Sequence, residues 1–322
     1  MMTPGFARAR TFAASIAGLA MFAAIPAIAG EKIYDPPVGS RWSIETQMQG
    51  EEVRPDGTAT SLIKTRAELT IEQKTADGYR ISYVQRGATV EGNARSVPLR
   101  RAYAKALEDV VIRASTDAAG KPLRIDNLEE ARRQIRARAD ELVGQFDRRP
   151  AARALFDQLM AELVEVDASS AAGVYIDSLA LLAAAQNTGM KQGEVRQVTK
   201  PAENPLGGDA LKSNERFELV ETDATASRLK FVNATSVDPA AMNEFMQSFA
   251  RSLLAASGDS VTPELVNRLV DSMVFSFGRQ TEFEVQDGMT QKVAERSTTV
   301  FRGMEQNLIQ TDTRTIRMTP AP

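Results

Sequence analysis

The chain has neither cysteine nor histidine in its 322 residues. That absence removes the Ser-His-Asp triad, the cysteine nucleophile, histidine-ligated zinc and the histidine proton shuttle. Disulfides go with it, so stability must come from a packed core, and the length is ample for one or two domains of ordinary size. Carboxylates, Ser-Lys pairs and oxygen-ligated metals are the chemistry left. Glycine patterns for nucleotide phosphates, the Gly-x-Ser-x-Gly elbow and the EF-hand spacing are missing as well. No catalytic residue, metal or cofactor is therefore assigned. Basic charge is not in excess either. The 39 Lys and Arg stand against 42 Asp and Glu, a formal net charge of −3, which argues against nucleic acid as a partner.

Long apolar runs are confined to the start, MMTPGFARARTFAASIAGLAMFAAIPAIAG. Arg8 and Arg10 precede an Ala-rich apolar stretch, and Ala27-Ile28-Ala29 ends it. A basic start, a short apolar core and a small-x-small end predict a secretory signal peptide over residues 1–29, cut after Ala29. The stretch falls short of the roughly 20 residues of a membrane span, and Pro26 interrupts its end. No cysteine near the cut is available to carry a lipid. The mature chain from Gly30 is expected to be soluble, unanchored and periplasmic or secreted, with no transmembrane segment. Removing two arginines and no acid leaves it 37 basic against 42 acidic residues.

From Trp42 to Val90 the pattern has period two. Ala67, Leu69 and Ile71 alternate with Arg66, Glu68 and Thr70, and Tyr79, Ile81 and Tyr83 alternate with Arg80 and Ser82. This predicts a sheet with one wet face and a type I′ turn at Asp77-Gly78. The segment Ser115 to Ile135, rich in Asp, Gly, Asn and Glu, has the look of a metal or phosphate loop. Its spacing instead predicts a strand over Val110–Ala114, a type I turn at Asp117–Gly120 and a short return strand, Pro122–Ile125. A helix follows, capped by Asp126 or Asn127 with Glu129 or Glu130 completing a capping box.

That helix carries Leu128, Ala131, Ile135, Ala139, Leu142 and Phe146 on one face. Arg132, Arg133, Arg136 and Arg138 lie opposite and continue as Arg148, Arg149 and Arg153, a basic run that reads as a solvated face balanced by neighbouring acids. A second helix starts at Pro150. A third, SAAGVYIDSLALLAAAQ, is apolar most of the way round and predicts burial. Residues 199–214 read as a loop. Strands resume with Phe217, Leu219, Leu229 and Phe231 at period two. Asp238-Pro239 and Thr262-Pro263 start two more helices, and strands return from Phe275 to Met318 with Asp287-Gly288 as a turn. No fixed-period repeat is present, which removes solenoids and propellers.

The expected architecture is α+β: a mostly antiparallel, curved, half-barrel-like sheet with helices packed on one face. It is read as one domain over 30–322, with a helical insertion at about 127–187. This order of elements resembles exported carriers built as a half-open barrel with a helical lid, such as the periplasmic lipoprotein carrier family. The resemblance lies in element order, covers no sequence motif and departs from the family in its large central helical block. No functional residue is carried across.

The most unusual surface is rich in Met and Phe, and Met is soft and adaptable toward varied apolar ligands. Met242, Phe245, Met246, Phe249 and Met273 are therefore the candidate ligand-binding residues. Trp42, Tyr79 and Tyr83 are assigned to packing. Glu282 and Glu284 share a strand face that alternates with Phe283 and Val285, which makes them surface rather than a catalytic pair. The leading function is an exported non-enzymatic protein binding a hydrophobic small molecule, lipid or envelope component between sheet and helices. The alternative is an assembly factor binding another envelope protein through an edge strand or the basic helix face. A carboxylate-based hydrolase ranks third.

Overall fold

Period-two alternation folds here into one antiparallel sheet, described by a computed structural model over residues 33–146, 148–202, 210–257, 261–303 and 306–321. The expected signal peptide and residues 203–209 of the expected loop lie outside the described residues. Three long strands come first, β1 (Arg41–Arg54), β2 (Gly57–Lys74) and β3 (Tyr79–Gly92), then helix α1 (Val97–Ala106) and the short strands β4 (Val111–Thr116) and β5 (Pro122–Ile125). A helical block follows: α2 (Leu128–Leu142), α3 (Pro150–Val164), α4 (Ala171–Tyr175) and α5 (Asp177–Ala183). Strands β6 (Val195–Ala202), β7 (Leu211–Asp223) and β8 (Arg228–Val237) lead to helices α6 (Pro239–Ser257) and α7 (Pro263–Asp271). Strands β9 (Val274–Gln286), β10 (Met289–Gly303) and β11 (Gln306–Pro320) complete the chain.

All eleven strands join one sheet in the order β5-β4-β3-β2-β1-β11-β10-β9-β8-β7-β6. The sheet is not closed: β5 and β6 are its edges. Every neighbouring pair is consecutive in strand order except one, the β1–β11 pair, which runs from Trp42 opposite Pro320 to Val53 opposite Ile309. The first five strands thus form one wing and the last six another, with β1 and β11 as the seam. Among the described residues strands outnumber α-helices eleven to seven.

Turn chemistry departs from expectation at one Asp-Gly and follows it at the other. Asp287 and Gly288 both have positive φ, 53° and 81°, as a type I′ turn between β9 and β10 requires. Asp77 and Gly78 do not. A loop over residues 75–78 joins β2 to β3 instead, with the Thr75 N–H donating to the Gly78 carbonyl at 2.8 Å. Gly78 is glycine for a different reason: a Cβ there would lie 2.2 Å from the Thr116 carbonyl oxygen, because the β4–β5 turn passes over it.

That turn is the structural device expected at Asp117–Gly120. The Asp117 carboxylate accepts from the N–H groups of Ala119 and Lys121, both at 2.9 Å, and Gly120 takes φ +77°. The capping box does not form. Asn127 stands at the N-cap of α2 but caps nothing; its amide accepts from Arg113 N–H at 2.8 Å and donates to the Val111 carbonyl at 2.8 Å. The side chain ties helix α2 to strand β4 instead.

Three further elements differ from the sequence reading. Helix α1, with proline in its first turn, was not expected. The apolar segment after Ser170 splits into α4 and α5 at Ile176, whose φ of −136° and ψ of 38° leave the helix. Residues 199–202 and 211–214, expected as loop, pair as strand, with Thr199 opposite Asn214 and Pro201 opposite Lys212. Pro201 is tolerated because β6 is an edge and its missing N–H removes no ladder bond on the open side.

The main core lies between the sheet and α1–α5. Ile44, Leu69, Ile71, Ile81, Phe283, Val293 and Ile316 meet Ile135, Phe156, Leu163 and Leu182 there. Outward positions are charged: Glu282 pairs with Lys230 at 3.1 Å and Glu284 with Lys292 at 2.6 Å, both half-buried and alternating with buried Phe283 and Val285.

Candidate functional site

The apolar alternation of the inward sheet face fails in one region. On β11, Met318 and Ile316 are followed at the same parity by Arg314 and Asp312; on β1, Ile44 is followed by Thr46 and Met48. A cavity of about 200 Å³ opens over this region, between β1–β3 and helices α1 and α3. Its apolar wall comes from Met48 and Ile63 on the sheet, Leu99 and Leu107 beside or on α1, and Leu155 and Leu159 on α3. Thr46, Gln85, Arg100, Asp177, Ser178 and Arg314 supply polar groups, and Tyr83 and Tyr103 line it as well.

Arg314 is 7% exposed, so its charge needs a partner. The break at Ile176 provides one by starting α5 at Asp177. Arg314 Nη1 lies 2.7 Å from Asp177 Oδ2, and Nη2 donates to Ser178 Oγ at 2.8 Å. Ser178 Oγ is in turn 3.4 Å from Thr46 Oγ1. Burial pulls the Arg314 pKa down, but Asp177 and Glu295 more than offset this and the net shift is upward. The guanidinium therefore stays charged inside the fold.

A second guanidinium comes from α1. Arg100 Nη1 donates to Ser61 Oγ at 2.8 Å, and burial lowers its pKa against the opposing pull of Asp312 and Glu52. Asp312 itself is pushed above the usual carboxylate range, by burial first and then by Glu52 and Glu295. Gly50 makes room for this group: a Cβ there would sit 2.9 Å from Asp312 Oδ1 and 3.0 Å from Ser61 Oγ. Gln85 Nε2 donates to the Ala104 carbonyl at 2.8 Å and Arg101 Nη2 to the Val90 carbonyl at 2.8 Å, so α1 is fastened to β3 beside the cavity.

Tyr83 and Tyr103 differ from the six polar residues named first. Among the described residues neither hydroxyl has a hydrogen-bond partner. Burial, and then the nearby Asp177 charge, raise both phenol pKa values, so both hydroxyls keep their protons.

The sequence-predicted residues Met242, Phe245, Met246, Phe249 and Met273 come together elsewhere, in a separate cluster with Ala250, Val266 and Phe301. Met246 and Met273 are buried, and the other three are half-buried. Phe245 and Phe249 stack at 6.1 Å, and Phe249 meets Phe301 edge-on at 6.5 Å. None of the five lines the cavity.

Sequence reasoning missed the cavity because its wall is assembled from many elements, one of them the unexpected α1. The available signal was the polar residues at inward strand positions, Thr46, Gln85 and Arg314. The Ser-x-x-Lys spacing of penicillin-interacting enzymes occurs at Ser61–Lys64 and Ser227–Lys230. A strand sends residues three apart to opposite faces, so Ser61 and Lys64 cannot act as a nucleophile and its base. Among the described residues no group of three or more acids is placed to hold a metal ion, and no helix is long and apolar enough to cross a membrane.

No protein-family model and no curated protein matches the chain. Among solved structures it is similar to lipovitellin, in a structure titled for lipid-protein interactions, at 7% identity and a TM-score of 0.45 over 89% of this chain. It spans 26% of the lipovitellin chain, about a quarter of that protein. An outer membrane channel from Pseudomonas putida F1 is similar at 9% identity and a TM-score of 0.17, over 88% of this chain and 97% of that one. At these scores neither likeness bears on the site.

Proposed function

We propose that the protein is an exported, non-enzymatic binding protein that holds the apolar part of a small molecule or lipid in the cavity between β1–β3 and helices α1 and α3. The observation that carries this reading is an open volume of about 200 Å³ beside a core that is otherwise packed. Protein interiors hold few voids larger than a water molecule, and an engineered apolar cavity of about 150 Å³ already takes up benzene. The space suits one alkyl segment rather than a whole two-chain lipid. Export rests on the basic, apolar and small-x-small order of residues 1–29, with the periplasm or the exterior as destination.

In this reading the helices cover one face of the sheet. Support comes from strand parity: Phe275, Phe301 and Leu308, next to α6 and α7, each lie eight residues from Phe283, Val293 and Ile316 of the main core. The wet face, with its Glu282 and Glu284 ion pairs, is left to solvent.

The test is binding of a fluorescent alkyl probe to the mature chain from Gly30, purified without detergent. Leu159→Trp puts an indole into the cavity and is expected to weaken binding about tenfold or more while leaving the circular dichroism spectrum unchanged. Undiminished binding by a folded variant would rule the cavity out. A second reading, a ligand face formed by Met242, Phe245, Met246, Phe249 and Met273, is favoured by the half-buried rings of Phe245 and Phe249; it predicts that Leu159→Trp binds normally and that Phe249→Ala does not.

A further inference from the structure

We propose that the cavity recognises an acyl head group: a carboxyl or ester oxygen accepts hydrogen bonds from the Tyr83 and Tyr103 hydroxyls while the alkyl chain lies against Leu99, Leu155 and Leu159. The inference rests on the reading of this cavity as a ligand site. Tyr83 stands on β3 with 8% of its surface exposed, and Tyr103 faces it from α1. Neither hydroxyl is sealed from a water-sized molecule, so each opens on the cavity, where it can donate to a bound acceptor. Two such hydroxyls line one small cavity, and among the described residues no protein group satisfies either.

The rest of the lining decides between an accepting and a donating head. Its charged groups are the guanidiniums of Arg100 and Arg314 and the carboxylate of Asp177. Asp177 is engaged by Arg314 at 2.7 Å, so an ammonium head would find no uncommitted carboxylate and would meet two cations. Asp312 and Glu52 act on Arg100 but are not part of the lining. Apart from Asp177, which Arg314 already engages, an acceptor oxygen meets groups able to donate: two phenols that stay protonated and, beside them, two guanidiniums. A free fatty carboxylate and a fatty ester share this chemistry.

The experiment compares one chain with three heads, decanoate, methyl decanoate and decylammonium, by displacement of the fluorescent alkyl probe from the unaltered protein. Acyl heads are expected to bind about tenfold or more tightly than the ammonium head. The ranking of acid against ester shows which source the site suits. Tyr83→Phe and Tyr103→Phe each remove one oxygen and keep the ring, so each is expected to weaken acyl binding about two- to tenfold and to leave decylammonium unmoved. Equal binding of all three heads, insensitive to both variants, overturns the acyl assignment and leaves the apolar cavity standing. Failure of every chain to bind overturns the cavity reading itself.

Discussion

Asp312 shows how a single residue can work against the fold that holds it. It sits on the inward face of β11, where Met318 and Ile316 are apolar, with Gln310 donating to its carboxylate at 2.7 Å. Burial and the charges of Glu52 and Glu295 raise its pKa from 3.8. A carboxyl whose folded pKa is raised stabilises the fold while protonated, and that contribution is lost as pH rises through the folded value. Asp312→Asn is therefore expected to raise the melting temperature at pH 7, with the gain shrinking as pH falls and vanishing below about 3.8. A variant that melts lower at pH 7 would mean that the Arg100 interaction outweighs burial. Arg314, two residues on, was legible only in part. Its inward parity follows from Ile316 and Met318, but its partner Asp177 lies 137 positions away in an apolar helix that the sequence gives no reason to break.

At the scale of elements, dipeptide signals proved only as good as their surroundings. Asp287-Gly288 joins strands that start at once on either side, so the two-residue turn forms. At Asp77-Gly78 the ladder stops at Lys74 opposite Tyr79, and the extra residues form a wider loop beneath the β4–β5 turn. Glycine is needed there by distance rather than by φ. Gly78→Ala would set a methyl 2.2 Å from the Thr116 carbonyl and 2.4 Å from the Asp117 carbonyl carbon, backbone atoms held by the Asp117 turn. Overpacking of this kind costs about 1–3 kcal/mol, and the rigidity of both partners puts the expected loss in urea unfolding near the upper end. A change under about 0.5 kcal/mol would show that the turn swings away freely. The strands of both wings other than β6, together with α2, α3, α6 and α7, were readable because apolar periodicity is written locally, whereas β6 and the start of β7 lie in a polar stretch that reads as loop. Helix α1 and the cavity were not, since α1 is short, Arg-rich and Ala-rich, and the cavity exists only where α1, α3 and the sheet leave a gap.

Across the whole molecule, two contiguous halves of the chain meet along one nonlocal ladder. Strands β1 to β5 and β6 to β11 each build by neighbour pairing, and β1 against β11 is the seam between them. A seam made of hydrogen bonds alone would let the wings separate. The core speaks against that, because Ile44 and Ile71 from one wing and Phe283, Val293 and Ile316 from the other belong to a single buried cluster. Ile316 is fully buried on β11, opposite Thr46 of β1 and Val293 of β10. Ile316→Ala should cost about 2–5 kcal/mol through lost burial and a residual cavity. If the wings fold as one unit, that cost appears equally in both. Fluorescence of Trp42, the chain's one tryptophan, reports from β1, and hydrogen exchange can follow β7 and β8 at the far edge. We expect the two to unfold at one denaturant midpoint in the parent protein and to shift together in the variant. Separate midpoints, with Ile316→Ala moving only Trp42, would instead make β1–β11 an interface between two independently stable halves.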